Sequence, residues 1–269
     1  MRHSRLAMLP VLVAVAFGCH AGKDANPATD RKDLQQVGQE TETSHNHLRH
    51  EPHATKSSAG HLPAIECPLR KAGIDPGDLK PFEETEKYIA FLDRPDRQKW
   101  QKPELVISAL GLKGSEKVAD LGAGSGYFTF RLALAVPHGK VIAIDSQPEM
   151  IQHIHHKVVS EGIANVEVRL AKPDDPSLPA GADLVFICDV LHHVPQRAAW
   201  SKKLFAEMPS GARLVVIEFK SGDLPEGPPD SIKIPKNQLI KTFENAGFTL
   251  KGEQPNLLPY QEFLVFVKP

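Results

Sequence analysis

The chain has 269 residues, enough for one well-buried domain with an extension or for two small domains. Hydrophobic residues make up 41% of it and charged residues 24%, the composition of a soluble globular protein, which calls for a core. A formal charge of −1 leaves no electrostatic footprint for nucleic acid, whose binding leans on clustered Lys and Arg, so no nucleic-acid partner is expected.

The first elements in chain order are not those of a folded domain. MRHSR is a basic lead and LAMLPVLVAVAF an apolar run too short to span a bilayer but suited to a signal segment. The run ends in AFGC, which resembles a bacterial lipoprotein signal in which Cys19 carries the lipid. Residues 1–19 are therefore expected to direct export, with membrane anchoring through a lipidated Cys19; the alternative is retention in the cytoplasm. Only Cys67 and Cys188 then remain, which is no disulfide framework. Residues 20–80 read as a disordered, His-rich tether and an irregular lead-in, because they offer too few apolar side chains to offset the entropy of ordering them. His45, His47, His50, His53 and His61 could take a transition metal, but without Cys or carboxylate partners a solvated linker is the expectation, and no metal site is assigned.

From residue 81 onward the pattern is regular. Residues 83–93 and 95–110 predict two helices, the second with Trp100, Leu105, Val106, Ala109 and Leu110 on one buried face. Strand-length apolar runs follow at 117–121, 141–144, 166–170, 183–188, 214–219, 249–252 and 262–267. Helical segments separate most of them, at 126–136, 148–161, 196–208 and 236–246. Strands apolar on both faces and separated by helices predict a doubly wound, mostly parallel, seven-stranded α/β sheet covered on both sides. The last two strands have no helix between them, so an antiparallel hairpin is expected at one edge. Pro225, Pro228, Pro229 and Pro235 mark an irregular loop after the fifth strand.

Ligands of such sheets bind beyond the carboxyl ends of the strands. The first strand ends in Asp120, followed by Gly122, Gly124 and Gly126. Glycine there permits positive φ and close approach of a ligand, and the helix that follows offers unpaired N–H groups. Asp120 could alternatively only cap that turn. The second strand ends in Asp145, about 20 residues beyond Gly126, a distance that suits a carboxylate accepting from ribose hydroxyls. A nicotinamide dinucleotide and S-adenosylmethionine both contain that ribose. The dinucleotide fingerprint wants a third glycine where Tyr127 stands, which weakens a dehydrogenase.

Taken in order, VADLGAGSGYF, VIAIDSQPEM and ADLVFICDVLHHV resemble the successive motifs of the class I S-adenosylmethionine-dependent methyltransferases, most like the branch with the ubiquinone/menaquinone C-methyltransferases. The resemblance runs from about Trp100 to the C-terminus and implies a Rossmann-like domain over 81–269 with lid helices at its start. It implies that Asp120, Gly122, Ala123, Gly124 and Gly126 face the methionine part of the cofactor. Asp145 would hold the ribose, with Ser146 and Gln147 beside the adenosine, and Asp174 or Asp175 would meet the adenine amino group. Cys188 and Asp189 would lie near the sulfonium, His192 and His193 just beyond it, and Trp100 and Gln101 would form a wall.

The expected function is methyl transfer from S-adenosylmethionine to a small-molecule acceptor. His192 and His193 are the nearest titratable groups to the transferred methyl and Asp189 stands behind them, so these three are the catalytic candidates. The two histidines could equally begin a helix. His153, His155 and His156 are expected on the surface or in packing, and Cys188 as a small apolar filler. The pocket for the acceptor is expected from residues 221–235 and the helices before the sheet. The alternative is an exported, non-catalytic protein of the same fold that binds a nucleoside-like ligand or a metal.

Overall fold

The seven apolar runs all become strands of one sheet. A computed structural model describes residues 67–75, 79 and 82–269. The signal-like segment, Cys19 and the tether histidines lie outside the described residues. Within the expected irregular lead-in, Pro68–Lys71 forms a single helical turn (α1) whose Leu69 is fully buried.

The strands are β1 (Lys117–Leu121), β2 (Lys140–Asp145), β3 (Val166–Leu170), β4 (Leu184–Cys188), β5 (Arg213–Phe219), β6 (Thr249–Glu253) and β7 (Gln261–Val267). Their order across the sheet is β3-β2-β1-β4-β5-β7-β6. The first five run parallel, with Val118 opposite Val141 on one side and opposite Leu184 on the other. The expected antiparallel hairpin is at the edge, and within it β7 inserts between β5 and β6, pairing antiparallel with both.

Alternation along each strand divides the core into two layers. Ala119, Leu121, Ile142, Ile144, Val185, Ile187, Leu214 and Val216 face α7 (Arg197–Glu207) and α8 (Lys236–Glu244), where Trp200, Leu204, Leu239 and Phe243 meet them. Val118, Val141, Ala143, Leu184, Phe186, Val215 and Ile217 face the other way, toward α4 (Pro103–Ala109), α5 (Thr129–Ala135) and α6 (Pro148–Ser160). Each fully buried side chain of this size, such as Phe186, contributes about 1.5–3 kcal/mol, so both layers need their helices.

The helix expected over 95–110 is two. α3 (Arg97–Gln101) ends at Lys102, whose φ is +43°, and α4 starts at Pro103. Proline has no N–H to continue the ladder and disfavours the α conformation in the residue before it, so the chain must turn at Lys102. The turn breaks the expected single face: Trp100, Val106 and Leu110 are buried, but Leu105 is 49% exposed. α2 (Phe82–Leu92) precedes this pair as expected.

The chain leaves β1 toward β2 and β3 on one side, then crosses to β4 and β5 on the other. That reversal opens a crevice above the carboxyl ends of β1 and β4, and the site lies there.

Candidate functional site

The crevice floor comes from β1 and the loop that leaves it. Asp120, Leu121, Gly122, Ala123, Gly124 and Ser125 line it, together with Tyr127 and Phe128. Gly122, Gly124 and Gly126 have φ of +74°, +56° and +84°, which only glycine adopts without strain. The loop's own N–H groups are paired. Gly122 and Ala123 donate to the Ile144 carbonyl at 2.7 and 3.1 Å, and Gly124 donates to Asp145 Oδ2 at 2.8 Å. The loop is thus strapped to the end of β2. Gly126 does not line the crevice: a Cβ there would lie 2.5 Å from the Phe130 ring, so this glycine serves packing.

Asp120 sits on the α5 side of β1, 3% exposed, and accepts a 2.6 Å hydrogen bond from Thr129 Oγ1 at the start of α5. Burial raises its pKa to about 7 against that hydrogen bond, with the charge of Asp145 adding to the rise. Asp120 therefore both lines the crevice and braces the helix, combining the two roles that its position allowed.

Asp145 lines the crevice at the end of β2 with Ser146 beside it. Its Oδ1 accepts from Gln147 N at 2.8 Å and its Oδ2 from Gly124 N, one bond to each oxygen. A carboxylate has about four lone-pair sites, so both oxygens can still accept from a ligand diol. Burial raises its pKa against these backbone bonds. Gln147 contributes its N–H to Asp145 but does not line the crevice.

Of the two acids after β3, only Asp175 lines the crevice, with Lys172 and Pro173. Its Oδ1 accepts from Ser177 N at 2.8 Å. Asp174, the other candidate, is placed outside: its side chain is 81% exposed, 3.7 Å from Lys203 Nζ, because the turn that aims Asp175 inward aims its neighbour outward.

Cys188, Asp189, Val190, His193 and Trp200 form the wall opposite. Asp189 has a φ of +59°, a conformation that costs a non-glycine residue about 1–3 kcal/mol and persists only where its surroundings hold it. Gln261 Nε2 holds it, donating to both carboxylate oxygens at 2.8 and 2.7 Å. Burial and the charge of Glu218 push Asp189 up to about 6, against Arg97 and Gln261. Cys188 is also lifted well above its usual range by burial and by Asp189, so it stays a thiol.

The two histidines separate. His193 is exposed and lines the crevice; His192 turns away from it and places Nδ1 2.9 Å from Glu218 Oε2. Their rings lie 4.1 Å apart between centroids. His192 is not placed in the crevice, because the turn at 191–193 puts successive side chains on different sides. Burial lowers the pKa of His193, and His192 adds to the fall. Burial also opposes charge on His192, but the hydrogen bond and charge of Glu218 outweigh it and raise its pKa.

Trp100 and Gln101, expected as wall residues, lie elsewhere. Neither lines the crevice, since the turn at Lys102 packs them behind its wall. Trp100 lies against Phe219 and Tyr260, and Gln101 donates to Cys188 Sγ at 3.2 Å and to Gln261 Oε1 at 3.1 Å. The lid residues that do reach the crevice are Tyr88 and Leu92 of α2 and Arg97 of α3. Arg97 donates to the Leu92 carbonyl at 2.7 Å, and its guanidinium lies 4.0 Å from the centre of the Tyr127 ring. Ser125 Oγ donates to Asp93 Oδ1 at 2.5 Å, tying lid to glycine loop. None of residues 221–235 lines the crevice. Their loop is joined to the lid by an ion pair of Arg94 with Glu226. His155 is buried in α6 as a packing residue, while His153 and His156 line a separate hollow under α2.

Glu218, Gln261 and Arg97 were missed from sequence. An acid inside VVIEF and a glutamine opening the last strand were the available signals, since polar groups in buried strands need partners.

Residues 112–253, more than half of the chain, match a family model described as a methyltransferase domain. This chain belongs to that methyltransferase family. Among curated relatives it is 29% identical over 129 residues to trans-aconitate 2-methyltransferase of Mycobacterium marinum, covering 48% of this chain and 45% of that protein. The corresponding Rhodococcus jostii enzyme is 29% identical over 130 residues, 48% of this chain and 47% of the relative. The chain thus spans about half the length of the curated relatives it matches. A solved S-adenosylmethionine-dependent methyltransferase from Aquifex aeolicus aligns at 28% identity with a TM-score of 0.64, over 69% of this chain and 98% of that one. Human N-acetylserotonin methyltransferase, solved with S-adenosylmethionine, shares the fold at 16% identity and a TM-score of 0.56, over 74% of this chain and 61% of that one.

S-adenosylmethionine is the cofactor of this methyltransferase fold, and the crevice fits it. Asp145 can still accept from a ribose diol on both oxygens, and Gly122, Ala123 and Gly124 line the crevice floor.

Proposed function

We propose that this protein transfers the methyl group of S-adenosylmethionine to a small-molecule acceptor. The observation that carries the reading is Asp145: a half-buried carboxylate at the end of β2, bonded to Gly124 of the loop across the crevice, with acceptor capacity left on both oxygens. In this reading Asp145 binds the ribose hydroxyls, Ser146 and Asp175 border the adenosine, and Gly122, Ala123 and Gly124 border the methionine part. Asp120 fixes the loop through Thr129.

S-adenosylmethionine supplies a methyl group on a sulfonium, already activated for in-line displacement by a nucleophile. The residues of this chain have less to do, chiefly to align the acceptor and exclude water. His193 is the proton acceptor in this reading, since it lines the crevice and its surroundings favour the neutral imidazole. The His193 imidazole would take the acceptor's proton while the acceptor's nucleophilic atom takes up the methyl group, and the sulfur would keep the bonding pair. Asp189, Cys188 and Trp200 form the wall against which the acceptor is aligned, and Tyr88, Leu92 and Arg97 cover it from the lid. Trans-aconitate, which names the curated relatives' reaction, is a small acid, and an acceptor of that size is part of this proposal.

Incubation with methyl-labelled S-adenosylmethionine and a fractionated small-molecule extract tests it. Label should move into a low-mass product, and His193→Gln should slow the transfer while leaving cofactor binding in place. Cofactor binding without label transfer to any fraction would count against catalysis.

A further inference from the structure

Glu218 is an acid within an otherwise apolar strand, and it is 1% exposed. A carboxylate is placed there only with partners, and this one has three. Oε1 accepts from Val190 N at 2.8 Å and from Leu191 N at 2.5 Å, and Oε2 lies 2.9 Å from His192 Nδ1. One residue earlier, Asp189 N donates to the Ile217 carbonyl of the same strand at 2.9 Å. The β5 residues 217 and 218 thus grip three successive N–H groups after β4, together with the ring that follows. Arg197 closes the far side, donating to the Leu191 and Val194 carbonyls at 3.3 and 3.2 Å. The gripped segment carries Asp189 and His193 into the crevice.

We propose that Glu218 is a positioning residue for the acceptor side of the crevice. It holds residues 189–193 as one turn and keeps His192 as the charged neighbour that leaves His193 neutral and able to take a proton. The proposal rests on the reading of His193 given above. The groups that face His192 are Glu218, Asp189, Arg197 and His193; those that face His193 are His192 and Glu218. With ring centroids 4.1 Å apart, two imidazolium charges oppose one another, and Glu218 touches only His192. The proton therefore settles on the ring turned away from the crevice.

The full chain, with its histidine rings followed by NMR through a pH titration, tests this without knowledge of the acceptor. In the native protein His192 should titrate above His193. Glu218→Gln keeps the shape and removes the charge, and it should lower the His192 midpoint and close the gap between the two rings. Glu218→Asp keeps the charge and should retain the order. His192→Gln does not touch the buried acid's own fold contacts to Val190 and Leu191, and it should raise the His193 midpoint, so the idea stays testable if Glu218→Gln fails to fold. An unmoved His192 midpoint in Glu218→Gln, or an unmoved His193 midpoint in His192→Gln, overturns the proposal. Calorimetry with S-adenosylmethionine separates the two readings. A native protein that does not bind it defeats the methyltransferase reading, whereas loss of binding in Glu218→Gln alone would assign Glu218 to general architecture.

Discussion

Gly122 and Val190 occupy one small space: a Cβ built on Gly122 would lie 2.3 Å from Val190 Cγ2 and 2.8 Å from Cγ1. The glycine loop after β1 and the turn after β4 are therefore in contact across the switch point, and the floor and the acceptor-side wall of the crevice are set jointly. Gly122→Ala adds that clash to a φ of +74°. It should weaken S-adenosylmethionine binding by about tenfold or more and destabilise the fold by about 1–3 kcal/mol. Val190→Ala in the same chain should restore part of the affinity, since it removes the clashing methyls but not the strain. Native affinity in Gly122→Ala would show that the two segments do not share this constraint.

Asp120 should make stability fall as pH rises. Its folded pKa, raised to about 7, lies above the ordinary 3.8, so its contribution is fully present below about pH 4 and is lost as pH climbs through 7. Within that interval the loss is about 1.4 kcal/mol per pH unit for this group. Asp120→Asn removes the titration, and its urea midpoint should depend less on pH between 4 and 7 than that of the native chain. Parallel profiles for the two proteins would refute the assignment.

Much of this architecture was legible before any coordinates. Seven apolar runs, the acid and glycines after the first, and the acid ending the second were enough for the sheet and for the crevice residues Asp120, Gly122, Ala123, Gly124 and Asp145. What could not be read were facts of direction. Asp174 and Asp175 are adjacent acids and only one points inward; His192 and His193 are adjacent rings and only one reaches the crevice. The resemblance to a lid helix made Trp100 and Gln101 look like wall residues, and the helical period was continued through Lys102, although Pro103 was the visible reason for a turn. Glu218 and Gln261 stayed hidden because their partners are 26 to 160 residues away along the chain, and single-sequence patterns carry only local spacing.

Gln261 should matter through Asp189. Gln261→Leu takes away the donor shared by both carboxylate oxygens, leaving a half-buried acid short of partners at a cost of about 1–3 kcal/mol. Loss of that bond also raises the Asp189 pKa further above about 6. The protonated acid needs fewer donors, so the destabilisation should be smaller at pH 5 than at pH 8. Chemical denaturation at the two pH values checks this, and equal losses at both would contradict it.

Trp200 should report ligand entry. The chain has two tryptophans, and only Trp200 lines the crevice, Trp100 being packed against Phe219 and Tyr260. A change of intrinsic fluorescence on addition of S-adenosylmethionine should persist in Trp100→Phe and disappear in Trp200→Phe. The reverse pattern would place the ligand, or the motion it causes, at the lid side instead.

Calorimetric titration with S-adenosylmethionine tests the central claim most directly. The native chain should bind it, and Asp145→Ala, which removes both the ribose acceptor and the tie to Gly124, should weaken binding by about tenfold or more. Asp174→Ala, altered at an exposed carboxylate beside Lys203, should bind as the native chain does. No binding by the native chain, or native affinity in Asp145→Ala, would contradict the account.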